Sequence, residues 1–202
     1  MGRVMTIVAT AIISSALTSV FWLLAFNSGD RDARAGAPRS VVLAPKVDRT
    51  DPRVAVAPTG LAIPVAGIAA RDLIDTYRQA RAGGARVHDA IDIMAPSGTP
   101  VVAAAPGTVE KLFFSEGGGG ITVYVRSPDR QWMHYYAHLR DYAPGLREGM
   151  QVSRGQKLGT VGVTGNANPG GPHLHFAIHR MARNDGFWEG EPVNPYPLLT
   201  GR

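Results

Sequence analysis

Seven short segments between residues 90 and 179 have the composition of β-strands and constrain the fold most strongly. Each is rich in β-branched, aromatic or other apolar residues and is bounded by Gly, Pro, Asp or Asn, which is typical of strands separated by turns. The predicted strands are residues 90–94, 101–104, 108–114, 121–126, 131–139, 156–161 and 173–179. Because no helical pattern separates them, they predict a mainly β fold, a small antiparallel sheet or an open barrel.

One short helix is predicted before these strands, over residues 70–81. Leu73, Ile74, Tyr77 and Ala80 recur at helical spacing and would share one face. The pair of glycines at 83–84 follows and is a common helix stop.

The N-terminal region has a different character. Residues 4–26 contain no charge, and a helix of that length spans about 30 Å or slightly more, enough for a bilayer core. We predict an uncleaved transmembrane helix within residues 1–26 and a Pro/Ala-rich linker over residues 27–68, followed by the folded domain at 69–202. Arg3 favours a cytoplasmic N-terminus, which places the domain in the periplasm or outside the cell. A cleaved signal peptide, giving a secreted domain, is the alternative.

Composition limits the chemistry that the chain can perform. The 202 residues include no cysteine, which excludes a disulfide scaffold, a thiolate metal site and a cysteine nucleophile. Any metal must therefore be held by histidine and carboxylate side chains. The net charge of +5 is not gathered into a basic run, so we expect no nucleic-acid partner.

The six histidines supply candidate ligands. His88 and Asp92 are four residues apart and share a face of either a strand or a helix. His173 and His175 alternate on one predicted strand, so both side chains face one side. Imidazole and carboxylate groups are ordinary ligands of Zn²⁺.

A further pair of histidines lies in the predicted strand at residues 131–139. Strict alternation puts Trp132, His134, Tyr136 and His138 on one face. This pattern leaves open whether His134 or His138 takes part in a site.

Five short motifs follow one another along the chain. They are the His-x-x-x-Asp of His88 and Asp92 with residues 93–101, then residues 106–109, 136–139, 155–165 and 172–176. In this order they resemble the lysostaphin/LytM-type zinc metallopeptidases, which hydrolyse peptide bonds in bacterial cell walls, and the resemblance covers residues 64–196.

The resemblance implies a groove on a small antiparallel β architecture, one Zn²⁺ held by His88, Asp92 and His175, and catalytic roles for His138 and His173. It implies an endopeptidase that acts on peptide stems or cross-links of peptidoglycan with metal-bound water as nucleophile. Since no His-Glu-x-x-His motif is present, one of His138 and His173 must take the proton from water. An inactive module that binds cell wall or activates a separate amidase is the alternative, and a phosphotransfer carrier is a third.

Two features depart from the family pattern. Ala90 stands where the family usually has glycine. The run of four glycines at 117–120 is longer than usual, and we expect it to form a mobile loop at the rim of the groove.

Overall fold

The computed structural model describes residues 53–202, which form eleven strands and one α-helix. In chain order these are β1 (Ala80–Arg81), β2 (Arg86–Val87), β3 (Ile91–Met94), β4 (Pro100–Val102), β5 (Gly107–Ser115), β6 (Gly120–Arg126), β7 (Trp132–Tyr142), β8 (Gln151–Val152), β9 (Lys157–Val161), β10 (His173–Arg180), β11 (Glu191–Val193) and α1 (Pro195–Thr200).

Nine of these strands belong to one antiparallel sheet. Six of them follow the order β11-β10-β7-β6-β5-β8, while β3 pairs with β10 and β9 pairs with both β4 and β7. The two remaining strands, β1 and β2, form a separate hairpin. The path ends at β11 and β8 without closing into a barrel. The predicted mainly β, antiparallel fold is therefore confirmed.

The hydrophobic core lies against one face of the central strands β7 and β10. Tyr136 and Phe176 are direct cross-strand partners, and both are fully buried. The Tyr136 hydroxyl accepts a hydrogen bond of 2.8 Å from the backbone N–H of Ala104. The opposite face of the same strands is therefore free to carry polar side chains.

All seven predicted strands are present, with ends that differ by up to three residues. The elements that the sequence pattern did not predict are short: β1, β2, β8, β11 and α1. Strands of two or three residues are too short to show a period. Helix α1 begins after Asn194, whose side chain accepts a hydrogen bond from Tyr196 N, and it ends at Gly201 in a left-handed conformation.

The predicted helix over residues 70–81 is wrong. Only a single 3-10 turn forms, at Ala70–Asp72, and the chain beyond it is irregular, with a tight turn at residues 77–78 where Arg78 has a φ of 63°. The predicted apolar face does not form, since Leu73 is buried while Ile74 is 65% exposed. The backbone N–H of Arg78 instead donates to the carbonyl of His88 at 2.7 Å, which ties this segment to the start of the sheet.

Packing begins before residue 69, where we expected the folded domain to start. Ile63 and Val65 are buried, and Val65 forms a bridge with Val101. The N–H of Ala62 donates to the carbonyl of Ala104 at 2.8 Å. The C-terminal part of the predicted linker thus adds to the hydrophobic core.

The predicted membrane anchor at residues 1–26 lies outside the described residues, as does most of the predicted linker. Within residues 53–202 no helix has the length and apolar character needed to cross a membrane. The anchor stays a prediction.

Candidate metal centre

Two of the three predicted ligands lie opposite each other on neighbouring strands. Asp92 on β3 and His175 on β10 are direct cross-strand partners. Directly opposite residues of an antiparallel pair project from the same face. Their side chains consequently meet, with His175 Nδ1 3.3 Å from Asp92 Oδ1.

His88 completes the group from the segment between β2 and β3. Its Nε2 lies 3.1 Å from Asp92 Oδ1 and 3.1 Å from His175 Nδ1. A tetrahedral metal ion with ligands at about 2.0–2.1 Å requires neighbouring ligand atoms about 3.3–3.4 Å apart. The structure therefore brings His88, Asp92 and His175 together at the spacing of a metal site.

The protonation of these atoms favours a cation between them. His88 Nδ1 lies 2.8 Å from the carbonyl of Thr76 and 3.0 Å from Arg81 Nη2, and in the tautomer that donates to the carbonyl its Nε2 has a bare lone pair. Asp92 Oδ1 is buried without a conventional hydrogen-bond donor. Such converging acceptors repel one another unless a positive charge lies between them, so the residues fit a divalent metal ion.

The segment that was predicted to be helical orients two of these ligands. In addition to its contact with His88, Thr76 accepts a hydrogen bond at Oγ1 from the Asp92 N–H at 2.9 Å. Arg81 Nη2 donates to Asp92 Oδ2 at 2.5 Å, so Oδ2 is occupied and Oδ1 faces the cluster. The sequence pattern gave no signal for either residue, because both lie in the segment whose conformation was wrongly predicted.

His138 reaches the cluster because the alternation of β7 is broken at this residue. Ala137 pairs with His175 on the site face, so strict alternation would return His138 to the core. His138 instead has a φ of 58°, in the left-handed region. Its ring lies 5.6 Å from the ring of His175 and 5.0 Å from that of His173.

The predicted common face of Trp132, His134, Tyr136 and His138 is accordingly wrong at its last member. His134 faces the core, is 4% exposed and stacks on Phe176 at a ring distance of 6.4 Å. The structure thus brings His138, and not His134, to the candidate site.

The glycine run at 117–120 contacts His138 through its backbone. The backbone N–H of His138 donates to the carbonyl of Gly119 at 2.7 Å, and its Nδ1 donates to the carbonyl of Thr164 at 2.8 Å. The two loops pack closely, since a Cβ on Gly165 would lie 2.2 Å from the carbonyl oxygen of Gly118. Small residues are required for this contact.

His173 is oriented in a similar way. Its Nδ1 donates to the carbonyl of Gly171 at 2.8 Å, and its Nε2 lies 3.8 Å from Asp92 Oδ1. Burial lowers the pKa of His138 to about 4, so this imidazole is neutral near pH 7. Both histidines can therefore present an Nε2 atom beside the cluster.

This arrangement of one carboxylate and four imidazoles on an antiparallel sheet agrees with a family comparison. Residues 86–195 match the family described as Peptidase family M23. The chain belongs to this family. M23 peptidases are metallopeptidases, in agreement with the cluster of His88, Asp92 and His175.

Two relatives are similar to this chain over part of their length. The chain is 35% identical over 130 residues to the L-Ala–D-Glu endopeptidase of Bacillus subtilis, a match that covers 61% of this chain and 38% of the relative. It is 37% identical over 106 residues to the peptidoglycan DD-endopeptidase ShyC of Vibrio cholerae, covering 50% and 23%. The matched segments thus span well under half of these relatives.

A solved structure gives the same fold. The catalytic domain of the antimicrobial peptidase lysostaphin from Staphylococcus simulans superposes with a TM-score of 0.50 at 28% identity. The match covers 63% of this chain and 88% of that domain. The similarity to lysostaphin-type peptidases expected from the motifs is confirmed.

Arg81 is expected to strengthen metal binding by fixing Asp92. Arg81→Gln removes the charged donor to Oδ2, and loss of such an outer partner lowers metal affinity by about 10- to 100-fold. Competition with a chelator measures this affinity. Arg78→Gln is the matched control, because Arg78 lies in the same segment and pairs with the exposed Asp89 at 3.4 Å. Equal affinities of Arg81→Gln and the unsubstituted protein would contradict the assigned role.

His134 is expected to make stability depend on pH. Burial lowers its pKa from 6.5 to about 4, so only the unfolded chain takes up a proton between these values, and stability falls as the pH falls. From pH 7.5 to 5 this effect amounts to about 2 kcal/mol. His134→Leu should lose that much less stability than the unsubstituted protein, as measured by urea unfolding with a chelator present. Parallel pH curves for the two proteins would show that His134 does not contribute.

Proposed function

We propose that this protein is a zinc-dependent endopeptidase that cleaves peptide stems or cross-links of bacterial peptidoglycan. The observation that carries the proposal is the triangle of His88 Nε2, Asp92 Oδ1 and His175 Nδ1 with two further imidazoles beside it. A purely structural metal site would have no use for the additional histidines.

The donor set favours zinc among the divalent ions. Two imidazole nitrogens and one carboxylate oxygen are typical of catalytic zinc sites, whereas Mg²⁺ and Ca²⁺ prefer oxygen ligands alone. Zinc bound there would supply Lewis acidity, which polarises a peptide carbonyl and makes water a stronger acid.

His138 and His173 are the groups that move protons in this proposal. Each has its Nδ1 engaged by a backbone carbonyl, so each can act only through Nε2. One accepts the proton that the attacking water releases, and the other stabilises the developing oxyanion or protonates the departing amine. The C–N bond breaks, the acyl carbon gains the hydroxyl of water to give a carboxylic acid, and the nitrogen gains the proton to give an amine.

Peptidoglycan is supported as the substrate by the names of two relatives. One is an L-Ala–D-Glu endopeptidase and the other a peptidoglycan DD-endopeptidase. Because these names refer to different bonds, they support the polymer as substrate rather than a particular bond. An anchor at residues 1–26 would hold the domain outside the cytoplasmic membrane, where this polymer lies, and this location is part of the proposal.

The competing function is a module that binds the wall or activates an amidase without hydrolysis. The presence of all five residues, His88, Asp92, His138, His173 and His175, supports the enzyme. The purified chain should contain zinc by elemental analysis and should release new amino termini from purified wall. Bound zinc without new amino termini would favour the inactive module.

Removal of one ligand should strongly weaken metal binding. His175→Ala leaves two ligands and should lower zinc affinity by at least about 100-fold, together with wall hydrolysis. Zinc titration against a chromophoric chelator measures the loss. His179→Ala, on the same strand but outside the cluster, is the control. A chelator should inactivate the unsubstituted protein, and added zinc should restore it; zinc binding by His175→Ala at normal affinity would remove His175 from the site.

The two remaining histidines should affect turnover and not metal content. His138→Ala and His173→Ala should each retain zinc and lose roughly 10²- to 10⁴-fold in kcat, because each removes a proton-transfer group. The assay is release of amino termini from purified wall at saturating zinc. Normal turnover by either variant would exclude that histidine from catalysis.

A further inference from the structure

A row of aromatic side chains leads away from the candidate metal centre. The ring of Tyr135 on β7 lies 5.9 Å from the ring of His175, and the ring of Tyr124 on β6 lies 4.6 Å from that of Tyr135. Tyr124 and Tyr135 are direct cross-strand partners, so both lie on the face that carries His175. The row is therefore continuous with the site.

The segment between β10 and β11 extends this row to the solvent. The ring of Phe187 lies 4.8 Å from that of Tyr124, and the ring of Trp188 lies 4.7 Å from that of Phe187. Trp188 is 64% exposed. Phe113 on β5, 6.3 Å from Phe187, is 44% exposed. From β10 to β5 the row crosses three strand spacings, roughly 14 Å.

The basic side chains of β5 and β6 beside this row are already paired, and the carboxylates of Asp185 and Glu189, in the segment that carries Phe187 and Trp188, accept backbone N–H groups. Burial raises the pKa of both tyrosines in the row, so their hydroxyls stay protonated. Lys111 is opposite Tyr124 but pairs with Glu148 at 2.9 Å. Arg126, also on β6, is buried and binds Glu110 through two hydrogen bonds. What the row offers to a ligand is a series of neutral aromatic rings.

Neutral rings suit one part of peptidoglycan better than the other. The glycan strand consists of sugars whose ring faces are apolar and pack well against aromatic rings, while hydroxyls at the sugar edges remain in water. The peptide stems carry free carboxylates, which would favour arginine or lysine as partners. The composition of the row therefore favours the glycan.

We propose that Tyr135, Tyr124, Phe187 and Trp188 form a subsite for the glycan strand of peptidoglycan. This inference rests on the proposed function, since it takes peptidoglycan as the substrate. The stem peptide branches from the glycan, so a polymer whose peptide lies at His175 places its sugars within reach of the row. The subsite would make the enzyme prefer intact wall over free stem peptides.

The test substitutes the most exposed member of the row in the full chain. Trp188→Ala should weaken binding to peptide-free glycan strands about five- to tenfold, the expected contribution of one stacked aromatic ring. It should lower the ratio of kcat/KM on intact wall to kcat/KM on glycan-free stem peptides by a similar factor. Phe114→Ala is the matched control, because Phe114 is 59% exposed and points to the opposite face of β5 from Phe113.

The possible results separate this inference from the proposed function. Glycan binding by the unsubstituted protein that Trp188→Ala weakens would support the subsite, even if no bond were cleaved. Hydrolysis of wall without glycan binding would support the proposed endopeptidase activity and overturn the subsite. An unchanged kcat/KM ratio for Trp188→Ala would also overturn it, since the row would then contact peptide or another segment of the chain.

Discussion

The site depends on an electrostatic constraint: three electron-rich atoms are held within 3.3 Å of one another on one face of the sheet. The pairing of β3 with β10 imposes the contact between Asp92 and His175, and the carbonyl of Thr76 fixes the third atom, on His88. When all three atoms are unprotonated their lone pairs repel one another, and a cation between them removes this repulsion. The strand pairing holds the three atoms together in spite of that repulsion, so the folded chain presents the site. Metal binding then stabilises the folded state by removing the repulsion.

Sequence periodicity was sufficient where the chemistry follows from a single strand. Asp92 lies between the buried Ile91 and Ile93, and His173 and His175 flank the buried Leu174. The alternation of one strand therefore shows which side chains leave the core. The same alternation does not predict that Asp92 lies opposite His175, because the two residues are 83 positions apart and the pattern within one strand does not set its register with another. Only the family resemblance predicted that these residues converge.

Periodicity failed where the local conformation depends on distant contacts. Residues 70–81 have helical spacing, yet Thr76 and Arg81 bind His88 and Asp92 from an irregular segment that turns at residues 77–78. His138 adopts a left-handed conformation because its N–H and Nδ1 bind carbonyls of two glycine-containing loops. Such contacts override local propensity at a functional site, and they are the supports that the sequence pattern missed.

His134 and His138 show that a lowered pKa alone does not identify a catalytic histidine. Both lie on β7, and burial lowers the pKa of each to about 4. Each ring also has a backbone hydrogen-bond partner, Thr164 for His138 and Val125 for His134, but the ring of His138 lies 5.6 Å from that of His175 while His134 stacks on Phe176. A bound Nδ1 fixes the tautomer and directs Nε2 to one place, which proton transfer requires. The face of β7 to which the ring turns, rather than the desolvation that the two rings share, therefore distinguishes the imidazole beside the metal cluster from the one in the core.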